Sequence, residues 1–354
     1  MMPDDLRDLK FSFLPLGDEN IASSRLRCYR IQDALERSGF TSRIGFDAFC
    51  DILLIQKKCD ERAIDAAFAC KRKSGILIFD IDDFPDIPGF LHKAQLLVSI
   101  ADVVTTATPE QGTLAGKLFS GLSGDRIFCL PNPVDYNLAG PRKKLHEVCN
   151  PLKIVWFGNV ENFPERLLSS ASTTRDFEFH AITNASAGVR ERYSNCHFHE
   201  WNYKNFSDTL SQFDVCLLNH QGTEILNAKS ANKMVTAIVH GLPVVASRTP
   251  DYQRVAHLAG LDDWLYDDET TLYACLNKLT DPAIRNSYIS QSQQVVWESF
   301  HINKITLSFL DIVQEARKIA FRHELSTLFR HLRYAYPARL AAKLYFRYKA
   351  SSVR

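Results

Sequence analysis

The order of basic helix start, glycine and buried strand at residues 229–247, KSANKMVTAIVHGLPVVAS, ties this part of the chain to an α/β architecture. From Ala228 to His240 the apolar residues Met234, Val235, Ile238 and Val239 recur at helical spacing. Gly241 stands where a helix takes its C-terminal glycine, and Pro243 cannot continue the helix. Residues 242–246 form the short β-branched run expected of a parallel strand buried on both faces. Lys229 and Lys233 are four apart, so both are predicted to project from one face of the first turns, with Asn232 beside them. A helix start with unpaired N–H groups and two cations suits a diphosphate. An ordinary helix with solvated lysines is the alternative.

The same alternation runs through the chain. Residues 10–16 (KFSFLPL) read as a first strand, 17–20 as a loop, and Ser23 or Ser24 as the cap of a helix ending near Gly39. Arg25 and Arg27 fall in that helix's first turn, where positive charge opposes the dipole. They either meet an anion or are solvated. Strands follow at 42–46, 51–56 and 75–79, the last ending in Asp80, Asp82 and Asp83. Ligands gather at the carboxyl ends of parallel strands, so these carboxylates either orient a ligand hydroxyl, with Asp80 or Asp82 as its base, or cap a loop. Strand 102–107 leads to Thr108 as N-cap and Pro109 at the first helical position. Strand 126–130 leads to Pro131-Asn132-Pro133-Val134-Asp135. Residues 137–152 have the polar, Pro- and Gly-containing composition of a linker. A second alternation opens with 153–157 (KIVWF) and Gly158. Strand 215–219 runs into His220-Gln221-Gly222-Thr223-Glu224, where Glu224 either bonds a ligand at the carboxyl end of the strand or belongs to a plain surface loop.

Lys229, Asn232, Lys233, Gly241, Pro243, Val244 and Val245 match the K-x-x-N-K-x-x-E helix and G-x-P-V-V strand of the nucleotide-sugar segment in GT-B glycosyltransferases. The chain therefore resembles that group, especially glycosyltransferase family 4. The succession A-D-x-V-T-T-A-T-P-E and L-P-N-P-V-D at 101–135 is similar to the close of its N-terminal domain. The resemblance implies a GT-B fold, α/β, with two Rossmann-like domains facing a central cleft: 1–148 for the acceptor and 149–300 for the nucleotide sugar. It implies 301–354 as C-terminal helices with a basic amphipathic tail, a late helix near 281–300 crossing back to the first domain, and retention of anomeric configuration. Donor contacts carried over are Gly158, Asn159, Arg166, Lys229, Asn232, Lys233 and Thr236. Acceptor contacts are Arg25, Arg27 and Asp83, and catalytic candidates are Asp80, Asp82 and Glu224. Thr236 stands where the family has a ribose-gripping glutamate, Ala228 where its E-x7-E pattern has the first, and Asn159 follows Gly158 where an Arg is usual. No metal or other cofactor is expected, since GT-B enzymes generally work without a bound metal.

Charge divides the chain unevenly. The net formal charge is +1, which argues against a nucleic-acid binder. Ten of the 42 Lys/Arg but one of the 41 Asp/Glu lie in 317–354, leaving the first 316 residues with 32 bases against 40 acids. Residues 321–354 read as two basic amphipathic helices split by Pro337, suited to an anionic membrane surface or to packing on the protein. The nine scattered cysteines form no C-x-x-C and read as reduced, buried thiols of a cytoplasmic protein. No apolar window of about 18 residues is present to span a membrane. Together with the resemblance, these features predict a glycosyltransferase at the inner face of a bacterial plasma membrane. It would pass sugar from a nucleotide sugar to a lipid-linked glycan acceptor in surface polysaccharide biosynthesis. A sugar-nucleotide epimerase of the same architecture and a non-catalytic scaffold are the alternatives.

Overall fold

A computed structural model describes residues 4–84, 89–136, 138–163, 176–220 and 222–320. Two compact units divide the chain: Met1–Asn132 with the segment from Ile302 onward, and Pro133–His301.

The first unit is built on a six-stranded parallel sheet in the order β2-β1-β3-β4-β5-β6. Its strands are β1 (Lys10–Leu14), β2 (Thr41–Ile44), β3 (Ile52–Gln56), β4 (Ile76–Ile81), β5 (Val103–Thr106) and β6 (Ile127–Cys129). The continuous apolar runs of β3 and β4 follow from burial on both faces. Ile52, Leu54, Ile76 and Ile78 enter one core, while Leu53, Ile55, Leu77 and Phe79 enter the other. Thr108 caps the Pro109–Leu118 helix as expected, accepting the Gln111 N–H. The expected cap at Ser23 or Ser24 is corrected: the helical run starts at Ala22, with Ile21 at the cap position and no side-chain cap. Ser24 is instead buried inside that run, accepting the Gly17 N–H at 3.1 Å and donating to Gln56 Oε1 at 3.2 Å. The next residues, Arg25–Tyr29, widen into π-helical bonding before Arg30–Arg37 resumes the α-helix.

The second unit repeats the plan, in the order β12-β11-β10-β7-β8-β9. Its strands are β7 (Leu152–Phe157), β8 (Phe177–Ile182), β9 (Cys196–His199), β10 (Val215–Leu218), β11 (Val244–Ser247) and β12 (Leu265–Tyr266). Val155, Cys216 and Val244 face one core, and Ile154, Val215 and Val245 the other. The stretch whose composition reads as a linker is strapped to this unit. Val134 N–H donates to the Phe300 carbonyl at 2.8 Å, Arg142 N–H to that of Val239 at 2.9 Å, and His146 N–H to Asn286 Oδ1 at 2.9 Å. Tyr136 stacks on Phe206 with ring centroids 5.1 Å apart. The division therefore falls after Asn132, ahead of the 148/149 boundary placed from composition.

The helix expected to cross back stays with the second unit. Pro282–Phe300 buries Tyr288, Ile289 and Val296, and Tyr288 donates its hydroxyl proton to the Val244 carbonyl at 3.1 Å. The following helix, 302–320, joins the first unit instead. Its Ile302, Ile305, Phe309 and Val313 recur at helical spacing and enter that unit's core. Phe309 lies 6.2 Å from Phe11 and 5.8 Å from Phe13, ring centre to ring centre. The basic tail 321–354 lies outside the described residues, and among those described no helix is long and apolar enough to cross a membrane.

Buried imidazoles give the second unit a defined acid limit. His240 is fully buried; its Nδ1 donates to the Thr236 carbonyl at 2.7 Å, and its Nε2 lies 2.8 Å from the Ser207 hydroxyl. Burial pushes its pKa down to about 4, and that of His146 likewise. The unfolded chain takes up these protons near pH 6.5 and the folded chain only near 4, so their stabilisation is complete above 6.5 and lost on acidification. Urea titrations should show stability falling between pH 6.5 and 4, with His240 alone contributing about 1.4 kcal/mol per pH unit. A midpoint that is flat across that range would refute the assignment.

Candidate functional site

β7 ends at Phe157, and Gly158 follows with φ +155°. A Cβ at Gly158 would collide with Lys233 Nζ and stand 3.1 Å from Trp156 Cζ2. A Cβ there would make the flexible end of Lys233 shift, so the glycine lets the ammonium lie against this turn as it does. The same ammonium sits 5.1 Å from the centre of the Trp156 ring, a cation–π contact that offsets part of the cost of a cation at a helix start.

Lys233 lies in the first turn of the Asn232–Val239 helix, but Lys229 does not. The helix predicted from Ala228 begins only at Asn232, and a separate short helix precedes it. Thr223 caps the short Glu224–Asn227 helix by accepting the Leu226 N–H at 3.2 Å, and a turn through Ala231 precedes the longer helix. The two lysines thus come from separate elements and do not share one helical face. Of the N–H groups at this end, that of Ala231 is taken by the Asp251 carboxylate. Asn232 Oδ1 is buried and finds no hydrogen-bond partner among the described residues.

Other predicted donor contacts lie apart from this cluster or inside the helix. Thr236 is 2% exposed and sits in the run Met234–Val239 that faces the core, so its side chain is not placed like a ligand-gripping carboxylate. Asn159 is exposed and donates to Glu161 Oε2 at 3.2 Å. Glu224 is exposed in the first turn of its short helix. Arg166 lies outside the described residues.

Three residues without a role in the sequence reading complete the cluster: His220, Thr249 and Tyr252. His220, just past β10, donates its backbone N–H to Ser247 Oγ at 2.9 Å at the end of β11. Its ring is stacked on Tyr252, 5.1 Å away at 18°. His220 Nδ1, Thr249 Oγ1 and the Tyr252 hydroxyl are buried without a hydrogen-bond partner among the described residues, a condition few native polar groups tolerate. The only legible signal was the position of His220 at the carboxyl end of a strand.

In the first unit, the predicted acceptor and catalytic residues are brought together, but they bind one another. Arg27 and Asp80 are both fully buried, joined by Nη2–Oδ1 at 2.5 Å and by Nε to both carboxylate oxygens at 3.1 Å. Arg27 Nη1 donates to the Leu130 carbonyl, and Thr105 donates its hydroxyl proton to Asp80 at 2.6 Å. Asp82 pairs with buried Lys57 at 3.0 Å and accepts Gln56 Nε2 at 3.0 Å. Burial outweighs Arg27 at Asp80 and raises its pKa. At Asp82 burial also pushes upward, but Lys57 and Arg27 outweigh it and hold the carboxyl below its ordinary value. Arg25 is 2% exposed and donates to the Glu19 carbonyl. Arg27 thus meets an anion of the protein itself, the Asp80 carboxylate, and the D-x-D spacing serves two internal ion pairs. Asp83, half-buried beside them, accepts the Phe84 N–H at 2.9 Å.

No family model matches this chain, and no curated protein does either. Solved structures share its fold. A glycosyltransferase from Rickettsia africae is similar at TM-score 0.60 and 10% identity, over 88% of this chain and 99% of that one. The lipopolysaccharide outer core galactosyltransferase WaaB is similar at TM-score 0.55 and 12% identity, over 86% and 99%. TarM is similar at TM-score 0.52 and 13% identity over 74% of this chain, which spans 54% of TarM's length. A variant of S. aureus TarM has been solved in complex with UDP. The two parallel six-stranded sheets and their helices are the GT-B fold.

Proposed function

We propose that the chain is a glycosyltransferase that moves a sugar from a nucleotide-sugar donor to a glycan acceptor. The observation that carries this reading is the Lys233 ammonium seated against Gly158 and Trp156 at the start of the Asn232–Val239 helix. Phosphate at a helix start needs no added machinery beyond N–H groups and cations. As the sugar leaves, negative charge grows on the diphosphate, and a cation already in place stabilises it without reorganisation. Neighbours of this fold include enzymes solved with UDP, which supports a nucleotide donor. Gly158→Ala tests the seat directly, because its Cβ would take the space of the ammonium. Titration with UDP, GDP and ADP should show affinity at least about tenfold weaker than wild type. Equal affinity would remove the seat from the donor site.

The finer reading is a family-4-like enzyme that works on a lipid-linked acceptor in surface polysaccharide assembly. Its support is the basic composition of 321–354 and the likeness in fold to an outer core galactosyltransferase. Each basic residue near an anionic bilayer contributes about 1 kcal/mol. Removal of 321–354 should therefore abolish salt-sensitive sedimentation with phosphatidylglycerol vesicles. Undiminished sedimentation would place membrane contact elsewhere. The burial of Thr236 favours one rival, a non-catalytic scaffold, and failure of the wild type to bind any nucleotide sugar would decide for it.

A further inference from the structure

The diphosphate reading leaves a group of neutral polar atoms at the carboxyl ends of β10 and β11 unexplained. His220 is held from two sides, by its N–H bond to Ser247 Oγ at 2.9 Å and by the parallel Tyr252 ring at 5.1 Å. The residue is 6% exposed, yet its Nδ1 has no hydrogen-bond partner among the described residues. Asn232 Oδ1, at the start of the lysine-bearing helix, and Thr249 Oγ1 share that condition. Unpaired buried polar atoms are costly, and several together mark a place where a polar partner is missing. The imidazole is not a third cation. Burial first, then Lys233 and Lys229, push its pKa well below the ordinary value. A neutral ring nitrogen adds nothing to charge neutralisation, but it exchanges a hydrogen bond with a hydroxyl.

We propose that His220 Nδ1 binds a hydroxyl of the nucleotide-sugar donor, on its ribose or on its sugar, next to the diphosphate held at Lys229 and Lys233. This rests on the donor-site reading above. The pinned ring fixes where that hydroxyl sits, so His220 positions the donor and selects among donors by the hydroxyl they present.

Calorimetric titration of the full chain tests it with UDP, GDP and ADP, their 2′- and 3′-deoxy forms and their glucose conjugates. Two variants are compared with wild type. His220→Phe keeps a ring on Tyr252 and removes the nitrogen; His220→Asn returns a polar atom near the position of Nδ1. His220→Phe should weaken the bound glucose conjugate about tenfold, with His220→Asn recovering part of the loss. If the diphosphate alone weakens equally, and one deoxy form is insensitive to the substitution, the hydroxyl is the ribose's. If the diphosphate alone is unaffected, it is the sugar's. A loss that is the same for every hydroxyl and deoxy ligand marks structural damage and overturns the assignment, as does no loss at all. Either result leaves Lys233 in place. A wild type that binds none of the probes overturns the donor site and the His220 role together.

Discussion

Lys233→Ala should lower kcat/KM for sugar transfer about 10²- to 10³-fold, the usual effect of removing one preorganised donor from a developing anion. The argument rests on how the ammonium is held. Trp156 lies on one side of it and the backbone of Gly158 on another, so little side-chain freedom is left to lose when a diphosphate binds. Lys233→Arg should not restore activity. The guanidinium is planar and larger, and the ammonium it would replace already lies close to Gly158 and the Trp156 ring. Lys229 comes from the turn before the helix, and its loss should cost less, about tenfold. Steady-state transfer from the donor identified by titration measures both. Unchanged kcat/KM in Lys233→Ala would take this residue out of the reaction.

Arg27→Ala should destabilise the first unit by about 3–5 kcal/mol, because it leaves the Asp80 carboxylate buried and unpaired. That is a large share of the 5–15 kcal/mol typical of a folded domain. Replacing both partners, Arg27→Met with Asp80→Leu, should recover most of the loss, since no uncompensated charge remains. The defect also has a pH signature. Burial already raises the Asp80 pKa, and losing Arg27 raises it further. A carboxyl with a raised folded pKa gives its stabilisation at low pH and loses it as pH rises through that value. The deficit of Arg27→Ala should therefore shrink from pH 7 toward pH 5 in guanidinium unfolding. A loss below about 1 kcal/mol at pH 7 would mean that water reaches Asp80.

Much of this architecture is legible in the chain because parallel strands write themselves plainly. The runs ILLIQ and ILIFDI are apolar without alternation, and Gly241, with φ +81°, stops its helix where the sequence places the stop. Local signals fail where distant residues decide. Asp80 and Asp82 look like an open acidic motif until Arg27, 53 residues earlier, and Lys57 close on them. The Pro- and Gly-containing stretch after Asn132 has linker composition, yet its backbone donors go to Phe300 and Val239. The four-residue spacing of Lys229 and Lys233 cannot reveal that Lys229 lies in the stretch ahead of the helix that carries Lys233. His220 carries no motif; its unpaired nitrogen exists only once Ser247 and Tyr252 are brought beside it.

The helix 302–320 that covers Phe11 and Phe13 has a consequence for how the protein is made. Its residues leave the ribosome after all of Pro133–His301. At typical rates of synthesis the hydrophobic face of β1 waits roughly fifteen to sixty seconds for its cover. The second unit is contiguous and needs nothing from later in the chain, so it should mature first although it begins later. During that interval the early half keeps apolar surface exposed, the condition under which folding chains aggregate, and a ribosome stalled before Ile302 would carry the second unit complete in sequence beside a first one still lacking its last helix.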